Sequence, residues 1–424
     1  MSSENINVEV LIVGAGLIGS SLAMHLGNQG VETVRLVDFD FEGSLSSSEL
    51  NAGGVRATFN QPLNILASKH SIEYFAQHAA EVGYRACGYL WLQTSEKMAA
   101  ALKARDRQTE LGWPVDAWDV TALRDRVPFI DRTDDLAGAL FAPRDGLINP
   151  NLLKNHFRST ARTKGVVCED RVLVRSAELQ VDGSWIVTCE KFPSVLTGEQ
   201  KIAVLSSENP SAASAGVPAT QLKYRAQKVV NCAGAWAGQL AKILGYESPC
   251  YPLRRQISMF DCRELDLTPY GMIVDTSGVY FHPEATSILG GLCNVSEPRG
   301  INFQYDADAY FEEYIWPNLA ERASVFEKLR HLTGWAGLYE VSPDDSAIIG
   351  AVEQGAPGAF FKASGKARVF EAHSFSGHGA MHSYAAGLAL AELMTSGRYS
   401  TLDFAPFSAT RFDRNELIHE TAVI

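Results

Sequence analysis

The sequence predicts an α/β protein: a domain built on a parallel sheet, interrupted by a second, β-rich domain of antiparallel sheet and helices. Three stretches carry that prediction. Residues 8–40, "VEVLIVGAGLIGSSLAMHLGNQGVETVRLVDFD", read as strand, glycine turn, helix and strand. Residues 228–245, "KVVNCAGAWAGQLAKILG", repeat the order strand, glycine turn, helix. Residues 375–393, "FSGHGAMHSYAAGLALAEL", place another glycine turn before an Ala-rich apolar helix near the C-terminus.

The first strand is a β-branched run that ends in glycine, the pattern of a strand buried on both faces. The following segment has helical spacing and closes on Gly30. A second strand completes a βαβ unit, and a parallel sheet follows from it. Further on, "RACGYLWLQTS" (85–95) and "DLAGALFAPRDG" (135–146) read as strands flanking a helical region over 96–111. "DGSWIVTCEK" (182–191) reads as part of a β-meander. Residues 206–219 are rich in Ser, Ala, Pro and Gly and read as an exposed loop. Residues 251–294 read as mainly β, and 306–330 as helical. No repeat of solenoid type is present. The expected division is 1–86, 146–246 and 333–424 for the nucleotide domain, with 87–145 and 247–332 for the second.

With 424 residues, 46% of them hydrophobic and 20% charged, the chain is long enough for two or three domains and a large core. Its formal net charge of -12 argues against a broad nucleic-acid surface. The seven scattered cysteines form no C-x-x-C, which fits a reduced compartment and no zinc site. The N-terminal "MSSENINVEV" lacks the basic start of a targeting peptide, so the expected location is cytoplasmic. The apolar run 8–26 is interrupted by Gly14, Gly16 and Gly19, so no membrane span is expected there.

Gly14-Ala15-Gly16-Leu17-Ile18-Gly19 fits the dinucleotide fingerprint G-x-G-x-x-G. Gly14 allows the tight turn, Gly16 lets the backbone approach a pyrophosphate, and Gly19 permits close helix–sheet packing. The helix start at Leu17 and Ile18 supplies N–H donors and a partial positive charge. Asp38 ends the second strand, where a carboxylate accepts hydrogen bonds from a ribose diol, with Phe39 beside it. This arrangement alone serves NAD and FAD equally.

The choice between them comes from an ordered set of further segments: "SSSELNAGGVRATF" (46–59), "GYLWLQTS" (88–95), "PRDGLINPNLL" (143–153), "VVNCAGAWAGQLA" (229–241), "GWAGLYEVSPDDSAIIG" (334–350) and "SFSGHGAMHSYAAGLALAEL" (374–393). Over nearly its whole length the chain resembles the FAD-dependent amine and amino-acid oxidoreductases typified by D-amino-acid oxidase, glycine oxidase and sarcosine oxidase. The resemblance implies a Rossmann-type FAD-binding domain joined to a substrate domain. It implies FAD contacts from the fingerprint glycines, Asp38, Phe39, Ser46, Ser47, Gly53, Gly54, Val172, Cys232, Ala233, Gly234, Trp236, Gly337, Gly377, His378, Gly379, Ala380 and Met381. Gly337-Leu338-Tyr339-Glu340 stands where D-amino-acid and glycine oxidases carry G-L-R-P, so Tyr339 replaces their substrate-binding arginine. That form is similar to the sarcosine oxidase branch, which acts on secondary or N-methylated amines.

Within that branch the resemblance gives Arg56 the substrate carboxylate, through the bidentate fork that suits it. The Gly-His-Gly turn would stabilise reduced flavin through backbone donors. Two family lysines are missing: one position falls on Ile288 and the other on Met381. His282, His382 or Arg254 are the expected replacements. The expected partners are a small amine or amino-acid substrate and either oxygen or an electron-transfer acceptor, with an imine product. Two other readings stay open: a flavin oxidoreductase of 2-hydroxy acids or other alcohols, and a flavin-binding assembly protein. The cysteine and histidine that anchor flavin covalently in related enzymes have no counterpart, since Gly337 occupies one position and residues 44–54 contain no histidine. FAD is therefore expected to be held noncovalently, and acid precipitation of the protein should release all of its flavin into the supernatant.

Overall fold

The computed structural model describes residues 5–206, 217–292, 296–352 and 369–422, so most of the loop expected over 206–219 lies outside the described residues. Ile6–Val13, an alternation of apolar side chains ending at Gly14, forms the centre of an eight-stranded sheet. It pairs in parallel with Val34–Val37 on one side and with Thr220–Asn231 on the other. Thr220–Asn231 in turn pairs in parallel with Val369–His373, and Val34–Val37 with Val167–Glu169. Trp185–Lys191 adds antiparallel to Thr220–Asn231 and continues to Val172–Leu179, the expected meander. The parallel strands are short apolar runs because both of their faces are covered.

Two helices cover one face and matter most for function. Leu17–Asn28 is buried over nearly all its length and packs against Gly379–Ser396, the Ala-rich helix near the C-terminus. They cross at Gly387, where a β-carbon would lie 2.3 Å from Ser21 Oγ and 2.8 Å from Leu22 N. The glycine is therefore required by the closeness of the two backbones. Fully buried Leu22, Leu26 and Leu390 fill the same core, each worth roughly 1.5–3 kcal/mol.

A second eight-stranded sheet runs in the order Arg330–Val341, Tyr251–Asp261, Ser287–Gly291, Tyr280–Glu284, Met272–Val274, Tyr89–Thr94, Leu136–Ala142 and Asp116–Trp118. Its strands are antiparallel except where Met272–Val274 meets Tyr89–Thr94. Ser95–Glu110 and the helical turns between Ala307 and Lys328 match the expected helical regions. The strand Arg330–Val341 crosses the expected boundary at 332/333: it pairs along its length with Tyr251–Asp261 and then hands the chain back to the first sheet at Ile348–Ala351. The segment carrying Tyr339 thus lies where the two sheets meet. No described helix is long and apolar enough to cross a membrane, and the described residues contain no cluster of metal-ligating side chains.

The chain after Gly379–Ser396 returns to the first sheet through one buried ion pair. Arg411 donates to Asp344 from Nε and Nη2, both at 2.7 Å, and Ile418 N–H donates to the same carboxylate at 2.9 Å. Burial alone would push Asp344 up. The guanidinium and the N–H outweigh it and hold the carboxyl below the usual carboxylate range. A depressed folded-state value means that this contribution is present above the unfolded value, about 4, and is lost as pH falls through the folded one. Asp344→Ala leaves a buried guanidinium unpaired. It should cost about 3–5 kcal/mol, measured as a fall in the denaturant midpoint at neutral pH, and the loss should shrink in acid.

Candidate functional site

Two adjoining clefts lie at the ends of these glycine turns. The first, about 1260 Å³ including its open mouth, is walled by Gly14, Gly16, Leu17, Asp38, Phe39, Ser46, Val172, Cys232, Ala233, Gly234 and Trp236, all expected cofactor contacts. The turn is forced tight: Gly14 has φ +106° and a β-carbon there would lie 2.1 Å from Cys232 O. Gly19 does not line the cleft. Its α-hydrogen faces Gly14 O, which a β-carbon would approach to 1.9 Å, so it performs the packing role that its place in the fingerprint predicts. Asp38 accepts the Ala15 and Asp40 N–H groups, and burial raises its carboxyl above the ordinary range. The N-cap of the helix Leu17–Asn28 is Gly16, which has no side chain to offer, and Ser48 Oγ takes only the Leu17 N–H, at 3.2 Å, so the next N–H groups are left for an anion.

The second cleft, about 1060 Å³ by the same measure, shares Leu17, Ile18, Ser47, Ser48 and Glu340 with the first. Gly53, Gly54, Arg56, Gly337, Tyr339, Gly377, His378, Gly379, Ala380 and Met381 line it, as expected from the sequence. The turn before the helix Gly379–Ser396 is strained. Ser374, Ser376 and Gly377 all have positive φ, at 60°, 49° and 91°, and for serine this is an uncommon conformation held by its surroundings. Here the clamp is Ser376 N–H donating to Glu340 O at 3.0 Å, while the Ser376 hydroxyl accepts from Ser342 N–H. A β-carbon at Gly377 would lie 2.6 Å from the Tyr339 ring. Bare backbone on both sides leaves a slot with room for a flat ring.

Within this cleft Arg56 is buried, 2% exposed, with its guanidinium carbon 4.0 Å from the centre of the Phe59 ring and 5.1 Å from that of Trp91. It donates to Thr58 O at 2.6 Å and to Ala422 O, and no described carboxylate pairs with it. Burial lowers its pKa, yet a guanidinium remains charged. Arg255 reaches the same cleft from the other side, 5.1 Å from the centre of the Tyr339 ring. It donates to Arg254 O at 3.1 Å, its Nε has no hydrogen-bond partner, and it too lacks an ion pair among the described residues. His378 is buried with both ring nitrogens unpartnered, edge-on to Phe59 at 4.7 Å between ring centres. Burial, with Arg56 nearby, holds it well below the ordinary histidine range, so the imidazole is neutral.

Four expectations are corrected. Arg254 does not face the cleft: it pairs with Glu297 at 2.9 Å and Asp306 at 2.8 Å. Side chains alternate along a strand, so its neighbour Arg255 faces the cleft instead. His282 lies behind the wall, bonded at 3.0 Å to Pro283 O and kept below the ordinary range by burial. Ile288 sits in the core beneath the second sheet, so the position assigned to a lysine near flavin is not at the cleft. His382 is buried under Phe59 and Phe375 and held at about 3 by burial, which also removes it as a cation. Trp91 stacks behind Arg56, and Trp335 donates to Leu50 O at 3.0 Å. No lysine lines either cleft among the described residues. The residues missed were Arg255, Tyr89, Ser48 and Glu340. Each stands beside a residue that had been singled out or inside a stretch that had been quoted.

The residues of the first cleft fit the adenosine and pyrophosphate of a dinucleotide, and those of the second fit a flavin ring. Comparison with known proteins agrees. A family model described as "DAO: FAD dependent oxidoreductase" matches residues 9–393. FAD-dependent oxidoreductase domain-containing protein 1 of Xenopus laevis is 27% identical, covering 98% of this chain and 85% of that protein. Mitochondrial dimethylglycine dehydrogenase of Homo sapiens is 27% identical over 58% of this chain and 26% of its own length. Among solved structures, L-proline dehydrogenase from P. horikoshii superposes with a TM-score of 0.79 at 21% identity, covering 98% of this chain and all of that one. Gly14→Ala should therefore abolish flavin retention during purification, read as loss of visible absorbance, because no relaxation of a side chain clears the Cys232 carbonyl. The chain belongs to the DAO family of FAD-dependent oxidoreductases, and its cofactor is FAD.

Proposed function

We propose that this chain oxidises the C–N bond of a carboxylate-bearing amine, an amino acid or a secondary N-alkyl amine. One observation carries the reading: two guanidinia without carboxylate partners, Arg56 and Arg255, flank Tyr339 in the cleft that opens onto the Gly377–Met381 turn. Cations without carboxylate partners, Arg56 buried and Arg255 half-buried, invite an anion. Arg255 supplies a second cation of the kind that the family obtains from the lysine position occupied here by Met381. The amine end of the substrate then lies toward Gly377 and the ring slot, with Tyr89, Tyr280 and Met272 closing the far wall against water.

The residues of the two glycine turns, Gly14–Gly19 and Gly377–Met381, would hold FAD, which would supply the acceptor for the hydride equivalent from the C–H beside nitrogen, and the imine product would hydrolyse in water. The chain itself binds, orients and sets charge. Backbone N–H groups at the start of Gly379–Ser396 and the positive end of that helix favour negative charge on the ring edge beside them. Neither cleft is lined by a lysine among the described residues, which favours an electron-transfer acceptor over oxygen. The relatives of the chain, which include a dimethylglycine dehydrogenase and a probable sarcosine oxidase of Arabidopsis thaliana, support the same substrate class.

A second reading, oxidation of a 2-hydroxy acid, is favoured by His378, an unpartnered neutral imidazole in the cleft that can accept a hydrogen bond from a substrate hydroxyl. Anaerobic bleaching of the flavin near 450 nm against panels of N-methyl, cyclic and primary amino acids and of 2-hydroxy acids separates the two. Bleaching by amines is expected, and bleaching by hydroxy acids alone would overturn the proposal. Arg56→Ala and Arg255→Ala should each raise the substrate KM about 10–100-fold with flavin content unchanged, since each removes a charge-assisted hydrogen bond. An unchanged KM in both would exclude the carboxylate assignment.

A further inference from the structure

A ligand that runs from the first glycine turn to the second passes the residues shared by both clefts: Leu17, Ile18, Ser47, Ser48 and Glu340. Two of these are committed elsewhere. The Ser47 hydroxyl donates to Leu338 O at 2.5 Å, and the Ser48 hydroxyl accepts Leu17 N–H at 3.2 Å. Glu340 is the ionisable one. It is 9% exposed, its carboxyl faces the N–H groups of Ser374 and Phe375, and its Oε2 has no hydrogen-bond partner. Buried polar atoms in folded proteins are nearly always paired, so an unpaired one at the wall of a ligand cleft marks a contact made by the ligand. Its position is fixed. The backbone pairs with Pro252 across the sheet and accepts Ser376 N–H at 3.0 Å. Opposite it stands Gly234, where even a β-carbon would approach Oε2 to 3.5 Å.

We propose that Glu340 is a cofactor-binding residue that, as the neutral acid, hydrogen-bonds the hydroxyl-bearing chain linking the pyrophosphate of FAD to its ring. A neutral carboxyl offers one donor and acceptor capacity together, which matches hydroxyl groups that do both. The charged and titratable groups around it are His373 from the Val369–His373 strand and Cys232 from the turn after Thr220–Asn231. His373 is itself engaged by Glu371 at 3.0 Å. Burial pushes Glu340 up to about 7, against the pull of His373 and the two N–H groups. The pyrophosphate of bound FAD adds negative charge nearby and favours the neutral acid further. Binding of FAD then takes up a proton, and the affinity falls as pH rises through the value for the free site.

The test is release of fluorescent FAD from the holoprotein on serial dilution between pH 6 and 8.5, for the wild type, Glu340→Gln and Glu340→Ala. The wild-type Kd should rise with pH by up to tenfold per unit above about 7. Glu340→Gln keeps a donor and an acceptor but cannot titrate, so it should hold FAD as tightly as wild type at pH 6 and lose most of the rise. Glu340→Ala should bind about fivefold to tenfold more weakly at pH 6. A Glu340→Gln profile parallel to wild type would overturn the proposal, as would Glu340→Ala binding equal to wild type at pH 6. If Glu340→Ala does not fold, the Glu340→Gln profile alone decides.

Discussion

The contact on which the rest of the structure depends is the crossing of its two glycine-led helices, Leu17–Asn28 and Gly379–Ser396, at Gly387. There is no room for a side chain where they meet, and the gap is closed by backbone against Ser21 and Leu22. Because both helices start at the same end of the sheet, their glycine turns open side by side. Two segments from opposite ends of the sequence thereby wall adjoining clefts. The parallel order Val34–Val37, Ile6–Val13, Thr220–Asn231, Val369–His373 keeps them there. Binding at the carboxyl ends of the strands of an open α/β sheet is the general rule for such folds. Here two glycine turns divide that edge between the two clefts.

The second sheet reaches the second cleft through a single strand pair. Tyr251–Asp261 and Arg330–Val341 align Arg255 with Gly337 and Leu253 with Tyr339. That register puts a guanidinium over an aromatic face beside the ring slot. It also puts Glu340 one residue further on, at the junction of the clefts. Arg56 arrives from the short Gly54–Val55 strand, held by Gly146–Leu147. Aromatic rings and neutral carbonyls touch it, and the nearby carboxylates of Glu420 and Asp145 make no ion pair with it, so it has a charge to offer a ligand. The chain is acidic overall, yet its deepest ligand surface presents arginines. Such local reversal of sign is how a cleft selects an anion.

Much of this was legible in the sequence, and the limits have physical causes. The fingerprint glycines, Asp38, Arg56 and the Gly-His-Gly turn were readable because each meets a backbone or charge requirement that few residue types satisfy. Arg254 was chosen over Arg255 because strand phase decides which of two adjacent arginines faces in, and phase follows from a register that a single chain does not spell out. Glu340 lay inside a quoted motif and passed unnoticed, since its importance comes from burial and an unpaired oxygen, which only tertiary structure creates. The contact between Arg56 and Ala422 joins residues from opposite ends of the chain, beyond the reach of any local pattern. Met381, read as the conspicuous absence of a family lysine, does line the cleft. A cation, Arg255, lines the same cleft from the second sheet.

The central claim is that one dinucleotide spans both clefts, anchored at Gly14–Gly19 and ending at Gly377–Met381. The most direct measurement compares FAD with FMN, which has the ring and polyol but lacks the adenosine end, by titrating each into apoprotein prepared by stripping the flavin and reading bound flavin near 450 nm. The account predicts one FAD per chain, a ring shielded from iodide quenching, and FMN binding weaker by at least about a hundredfold, because the first cleft then stays unused. Equal binding of FMN and FAD, or a bound ring that iodide still quenches, would contradict it.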